Sequence, residues 1–253
     1  MSKFIRTETD GRLLIITLAR PEVLNSLSAA ACFELHELWN DFTADPELWV
    51  AIVTGEGRAF CAGHDLTDGP DEPMPESGWA GLAERAPTPK PLIAAINGLA
   101  YGGGFEIALA CDIVIIDEQA KLALSEPRMG VVALGGGAQR LMRKAPAAVA
   151  LGMLLTGRPI SAQEAYRWGI ANEIAAPGTA LDVARKWAND ILACAPLAVR
   201  RTKLLALEAL EGGLPAMIKA GREATLGEIF QWEDTREGIA AFNTKRTPIW
   251  RGR

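Results

Sequence analysis

Leu92-Ile93-Ala94-Ala95-Ile96-Asn97-Gly98-Leu99-Ala100-Tyr101-Gly102-Gly103-Gly104-Phe105-Glu106 decides the architecture. Its first five residues form a continuous apolar run of strand length, suited to a sheet buried on both faces. Three glycines then open an apolar helical segment, Phe105 to Ala110. Outward from this unit, Leu13–Leu18, Trp49–Thr54 and Ile113–Ile116 read as further buried strands. Ser28 is placed to cap a helix running to about Phe42, with Cys32, Leu35 and Trp39 at helical spacing. Strands alternating with helices predict an α/β core with parallel pairing. From about Ala147 the strand signals almost vanish. Ser161-x-x-Glu164 is a capping box opening a short helix that ends before Gly169. Helices are predicted over 178–193, 197–210, 215–230 and 234–243. The expected division is an α/β core over 1–195 and a helical region over 196–253.

Composition narrows the function classes. The 253 residues are 49% hydrophobic and 23% charged, and about 70–75% of the surface of an unfolded chain this long can be buried. A core of that size stands without disulfides or metal. The balance of 26 basic against 31 acidic residues is −5, which disfavours nucleic acid as the main partner. The basic clusters Arg140/Arg143/Lys144, Arg200/Arg201/Lys203 and Lys245/Arg246/Arg251/Arg253 are short and read as decoration of helix faces or ends. Cys32, Cys61, Cys111 and Cys194 have no zinc-site or dithiol spacing. They read as small core residues in a reducing compartment. The segment Met1–Glu8 has no apolar signal run, and the apolar stretch Leu92–Ile116 contains Glu106 and Asp112. Neither a signal peptide nor a membrane span is expected, and the expected compartment is the cytoplasm.

Three glycine-rich spots are candidates for chemistry: Gly55-x-Gly57 before Arg58–Leu66, Gly102–Gly104, and Gly135–Gly137 before the helical segment Ala138–Lys144. None has the dinucleotide or phosphate-loop pattern. A glycine run at a helix start exposes N–H groups backed by the helix dipole, which suits an oxygen that becomes an anion during reaction. The same run also fits a plain strand-to-helix turn needing positive φ, and Asn97-Gly98 also fits a hairpin turn. Glu106 lies in the first turn after Gly104. Glu126 follows the apolar Leu122-Ala123-Leu124 and precedes Pro127. Burial raises a carboxyl's pKa towards neutrality and makes it an acid or base at pH 7. The competing reading is an ordinary salt bridge, with Arg128 or Arg140 as partner.

Between Asp65 and Pro91 six of the fifteen prolines (Pro70, Pro73, Pro75, Pro87, Pro89, Pro91) fall together. This is a surface excursion of the kind that forms lids or substrate walls, with a short helix expected near Trp79–Glu84. Nucleophile signals are weak: Gly-x-Ser-x-Gly is absent, and two histidines are too few for a convincing triad. His36 reads as a packing or surface residue, and the backbone of His64 matters more than its ring.

Arg58-Ala59-Phe60-Cys61-Ala62-Gly63-His64-Asp65-Leu66, Ala94–Gly104 and Ser125-Glu126-Pro127-x-x-Gly130 resemble the crotonase superfamily, and the resemblance covers essentially the whole chain. Pro21–Leu27 resembles the family's early CoA-contacting turn, with Ser26 where Ala is usual, and Glu237–Arg246 resembles its C-terminal helix. The resemblance implies a spiral of ββα units with perpendicular sheets and a C-terminal helical region that builds a homotrimer or a homohexamer. It implies an acyl-CoA thioester substrate, with CoA part of the substrate and no metal or redox cofactor. The N–H groups of His64 and Gly103 would form an oxyanion hole. Glu126 would be the acid/base at Cα and Glu106 the partner that activates water. CoA contacts would come from Glu22, Val23, Leu24, Ala62, Asp65 and Leu66, and from Phe242 and Lys245 across a subunit boundary.

Both glutamates are present, which fits hydration of an enoyl-CoA. The same scaffold also hosts carnitinyl-CoA-type dehydration, double-bond isomerisation and hydratase-lyase chemistry, and a non-catalytic acyl-CoA binder is the rival from another class. Ala133-Leu134 departs from the Pro-Gly of the best-known hydratases, just before the second glycine run.

Overall fold

The structure is a computed structural model that describes residues 4–67, 69 and 72–253. Met1–Lys3, at the start of the segment read for a signal peptide, and Pro70 of the proline-rich stretch lie outside the described residues. The chain divides into two compact units, residues 1–86 with 92–188, and residues 87–91 with 189–253.

The first unit contains two sheets. The larger has six strands, in the order β1 (Ile5–Asp10), β2 (Leu13–Leu18), β3 (Val50–Gly55), β5 (Leu92–Ile96), β7 (Ile113–Asp117) and β10 (Glu173–Ala175). Only the β1–β2 pair is antiparallel. The apolar runs quoted above are its parallel strands, and β5 is buried along its whole length. Continuous apolar sequence is what a parallel sheet covered on both faces requires.

The smaller sheet has the order β4 (Ala59–Cys61), β6 (Leu99–Tyr101), β8 (Lys121–Ala123) and β9 (Ile160–Ser161). Each of β4, β6 and β8 follows directly on β3, β5 or β7, so the chain steps from one sheet to the other at a short corner. Asn97 holds one such corner. Its amide accepts from Gly55 N at 3.0 Å and donates to the Gly57 and Ala59 carbonyls. This corner, rather than a hairpin, is the use of Asn97-Gly98, because β5 and β6 belong to different sheets. Asn25 pins the same segment, donating to Glu56 O and Ala59 O and accepting from Arg20 N.

Helix α1 (Ala29–Ala44) starts at Ser28, whose hydroxyl accepts from Ala31 N as expected. Helix α2 (Gly103–Ala110) follows β6, and α3 (Gly137–Lys144) and α4 (Ala147–Thr156) follow β8. The capping box of Ser161 and Glu164 opens α5 (Ala162–Arg167). Helix α6 spans Ala180–Leu192.

Several expectations are corrected. The helix near Trp79–Glu84 is only a 3-10 turn over Trp79–Gly81, with Ala80 at φ 55°. Glycines at 78 and 81, both with positive φ, stop helical propagation on either side. Strands β9 and β10 form after Ala147 despite their brevity, because each pairs with a longer partner. Cys32, Cys61 and Cys111 are buried, but Cys194 is exposed. His36, as expected, is a packing residue, its ring bound to Ser77 and Asn40.

The second unit is helical: α7 (Pro196–Glu208), α8 (Leu214–Ile229) and α9 (Glu233–Thr244). Arg201 Nε donates to Thr225 Oγ1 across α7 and α8 at 2.7 Å, and Lys203 Nζ donates to Lys90 O at 2.9 Å. Asp234 accepts from Arg251 N and Gly252 N, folding the C-terminal segment back on α9. Among the described residues no helix is long and apolar enough to cross a membrane.

Asn25 is 1% exposed and has φ 58°. Asn25→Ala removes three side-chain hydrogen bonds, two of them to the β3–β4 corner, and places an apolar residue in a left-handed conformation. Urea unfolding should show a loss of about 2–4 kcal/mol.

Candidate active site

Strands β4, β6 and β8 are parallel neighbours, so their C-terminal ends lie side by side at one edge of the small sheet. β4 runs out into Ala62-Gly63-His64, β6 into Gly102-Gly103, and β8 into Ser125-Glu126. Residues far apart in sequence therefore meet without any of them lying on a long loop.

The contact that closes the site is between two glycine segments. A Cβ on Gly63, which has φ 101°, would stand 3.1 Å from Gly103 N and 3.0 Å from Tyr101 O. Only glycine allows this approach. It brings the N–H of His64 beside the N–H of Gly103, the first residue of α2. First-turn amides lack an intrahelical acceptor, and among the described residues neither N–H has a protein partner. Two free donors at the positive end of a helix are suited to an oxygen that gains charge.

Two carboxyls flank this pair. Glu106, in the first turn of α2, is only 5% exposed. Its Oε1 accepts from Gly137 N at 2.8 Å, and a Cβ on Gly135 would lie 2.4 Å from its Oε2. The second glycine run is thus the wall of the Glu106 carboxyl. Burial pushes its pKa from 4.5 up to about 6, opposed by the Gly137 N–H and reinforced by the charge of Glu126. Glu126 starts a 3-10 turn, Glu126–Met129, and its Oε1 lies 3.3 Å from where a Cβ of Gly102 would be. Burial raises its pKa too.

Among the described residues neither carboxyl forms a direct ion pair with an arginine. Arg128 donates to Thr156 O, and Arg140 donates to Gly135 O, Leu82 O and Ala83 O. Arg140 therefore braces the Gly135 turn against residues 82–83, and its charge draws the Glu106 pKa down only from a distance, without a direct ion pair.

Three polar atoms at the site are buried without a protein partner: His64 Nδ1, Trp79 Nε1 and Glu126 Oε2. Each such group costs about 1–3 kcal/mol, and their gathering at one place suits a position that takes a ligand. Trp79 had no local signature as a site residue. It lies in the proline-rich excursion, and only the fold sets its indole against Gly103, where a Cβ would fall 2.2 Å from Cη2.

The residues expected to touch CoA separate into groups. Glu22, Val23 and Leu66 are exposed, Leu24 and Ala62 are half-buried, and Ala62 N donates to Leu24 O. The Asp65 carboxylate is turned inward to Arg20 and Thr67, and these hydrogen bonds hold its pKa below the usual range. Phe242 and Lys245 belong to the second unit, where both are exposed and Lys245 ends α9 at φ 52°. In the departure from Pro-Gly, Ala133 is buried and Leu134 is 86% exposed.

Sheet order, glycine contact and paired carboxyls define an enzyme of the crotonase superfamily. The model of the enoyl-CoA hydratase/isomerase family matches residues 8–253, and the chain belongs to that family. It is 42% identical to a carnitinyl-CoA dehydratase of Proteus mirabilis and 39% identical to one of Citrobacter koseri, with both chains covered in full. The crystal structure of an enoyl-CoA hydratase from Mycobacterium marinum superposes with a TM-score of 0.95 at 39% identity, covering 100% of each chain. One from Mycobacterium tuberculosis gives 0.94 at 37%, again covering 100% of each chain.

A carboxyl with a higher pKa in the folded chain than in the unfolded one stabilises the fold while it is protonated. For Glu106 that contribution is complete below about 4.5 and is lost as the pH rises through about 6. Glu106→Gln, neutral at every pH, should therefore be more stable than wild type at pH 8 by about 2 kcal/mol. Thermal melts of the two proteins should converge at pH 4.

Proposed function

We propose that the chain adds water reversibly across the 2,3-double bond of an enoyl-CoA thioester. The observation that carries this reading is the pair of carboxyls with raised pKa values beside two unpartnered N–H groups. The thioester oxygen accepts from His64 N–H and Gly103 N–H. Ionised Glu106 takes a proton from water as the water oxygen bonds to Cβ. The π electrons move onto the thioester oxygen, giving an enolate held by the two donors. Protonated Glu126 then delivers its proton to Cα, and the carbonyl re-forms. Proton exchange with solvent restores the starting state of both carboxyls. No metal or redox cofactor takes part in this scheme.

In this division of labour the N–H groups of Gly137 and Gly135 favour the ionised form of Glu106, and Glu126 has a buried oxygen without a partner among the described residues. The identity to carnitinyl-CoA dehydratases along the whole chain favours a second reading, the same steps run in reverse on a 3-hydroxyacyl-CoA such as carnitinyl-CoA. In both, Glu22, Val23, Leu24, Ala62 and Leu66 line the path of CoA, and Asp65 contributes by fixing the loop. Phe242 and Lys245 reach the CoA of a neighbouring subunit in a homotrimer or homohexamer, and exposed Ile239, Phe242 and Ile249 supply apolar surface for that assembly. Cys32, Cys61 and Cys111, buried and in no disulfide among the described residues, fit a reducing compartment, and cytoplasm is the one we propose.

With crotonyl-CoA, the absorbance of the conjugated thioester should fall in the presence of the wild-type protein. Glu126→Gln and Glu106→Gln should each slow this by about 10²–10⁴-fold while CoA-ester binding persists. Near-wild-type turnover by Glu126→Gln would overturn the assignment, and turnover of carnitinyl-CoA alone would select the second reading. Light scattering should give a mass three or six times that of one chain, and a monomer would exclude the subunit-crossing role of Phe242 and Lys245.

A further inference from the structure

Trp79 stands out among the groups that the hydration scheme leaves unused. Its residue is partly exposed, yet its Nε1 is buried and has no acceptor among the described residues. Its six-membered ring lies on Gly103, where a Cβ would come within 2.2 Å of Cη2, 2.4 Å of Cζ2 and 2.7 Å of Cζ3. Nε1 is bonded to the carbon next to Cζ2, so the N–H lies at the margin of this same contact. It is thus held beside the residue whose own N–H faces the thioester oxygen.

The position is built. Ala80 sits at φ 55°, a conformation that costs free energy in a residue with a Cβ. It is held there by Trp39 Nε1, which donates to Ala80 O at 3.2 Å, and by Cys32 Sγ, which accepts from Ala80 N. Arg140 grips two carbonyls a little further on, Leu82 O and Ala83 O, with the guanidinium that also holds Gly135 O. The turn that carries Trp79 and the turn that walls Glu106 therefore share one brace.

We propose that Trp79 determines substrate specificity, its indole N–H donating a hydrogen bond to an oxygen carried by the acyl group beyond the reacting carbons. An indole N–H is only a donor, and buried tryptophans normally find an acceptor for it. A hydroxyl, carbonyl or carboxylate on the acyl chain supplies one. An alkyl chain leaves the donor unpaired, and so does a quaternary ammonium, which has no lone pair to offer. The preferred substrates are thus oxygenated acyl thioesters, and this narrows the choice left open above. The inference rests on the reading of this site as an acyl-CoA pocket.

The test compares enoyl-CoA thioesters bearing a terminal hydroxyl at C4, C5 or C6 with isosteric thioesters in which methyl replaces the hydroxyl. Two readouts are taken, kcat/KM for hydration and calorimetric Kd for the saturated analogues, in wild type and Trp79→Phe. At one chain length at least, wild type should favour the hydroxyl compound over its methyl isostere by about tenfold in both readouts. In Trp79→Phe, which keeps a ring and removes the N–H, that ratio should fall towards one. A wild type with no preference at any length overturns the proposal without recourse to the variant. A preference that survives Trp79→Phe overturns it as well, because another group then reads the oxygen. Absence of turnover with the binding preference intact would sink the hydration scheme and leave the role of Trp79 standing. Turnover with flat ratios would do the reverse and mean that solvent satisfies the indole.

Discussion

The approach of Gly63 to Gly103 is the constraint on which the rest of the site depends. A backbone-to-backbone contact at this distance is open only to residues without a Cβ. It joins the end of β4 to the start of α2 and sets two N–H groups side by side with no side chain between them. The electrostatics follow from the same join. Because α2 begins there, its dipole and its unpaired first amide face the site. Because Glu106 lies in the first turn, its carboxyl is carried into the interior behind those donors.

A buried carboxyl at that place is costly, and the surrounding structure moderates the cost without cancelling it. The N–H groups of Gly137 and Gly135 accompany Glu106, while Arg140 gives its hydrogen bonds to carbonyls and acts on the carboxyl only through its charge. The pKa consequently settles at about 6 rather than returning to the carboxylate range. A direct ion pair with an arginine would have drawn it back down. The unsatisfied atoms of His64, Trp79 and Glu126 have the same character: groups kept dry and unpaired, which destabilise the free protein and become useful when a ligand arrives.

Much of this was legible in the sequence because the signals were local. Parallel strands buried on both faces announce themselves as apolar runs, and β2, β3, β5 and β7 stand where such runs stand. Ser28 and Ser161 cap the helices they precede. The small sheet was harder to see. Its strands are two or three residues long and exist through pairing with neighbours distant in sequence, which no local window contains. The turn at Trp79 was misread as a helix because its left-handed Ala80 is held by Trp39 and Cys32, some forty to fifty residues away.

By itself the sequence determined the α/β class, the apolar strands of the large sheet, the glycine-led helix starts and the presence of two glutamates in apolar surroundings. Those features depend on residue type and spacing, which the chain carries locally. Only the tertiary structure decided that His64 and Gly103 share one site, that Arg140 pairs with carbonyls and not with a glutamate, and that an indole from a proline-rich excursion lies on the helix start. Each of these is a matter of which distant segments meet. That choice is made by burying the whole core at once, and no stretch of sequence contains it.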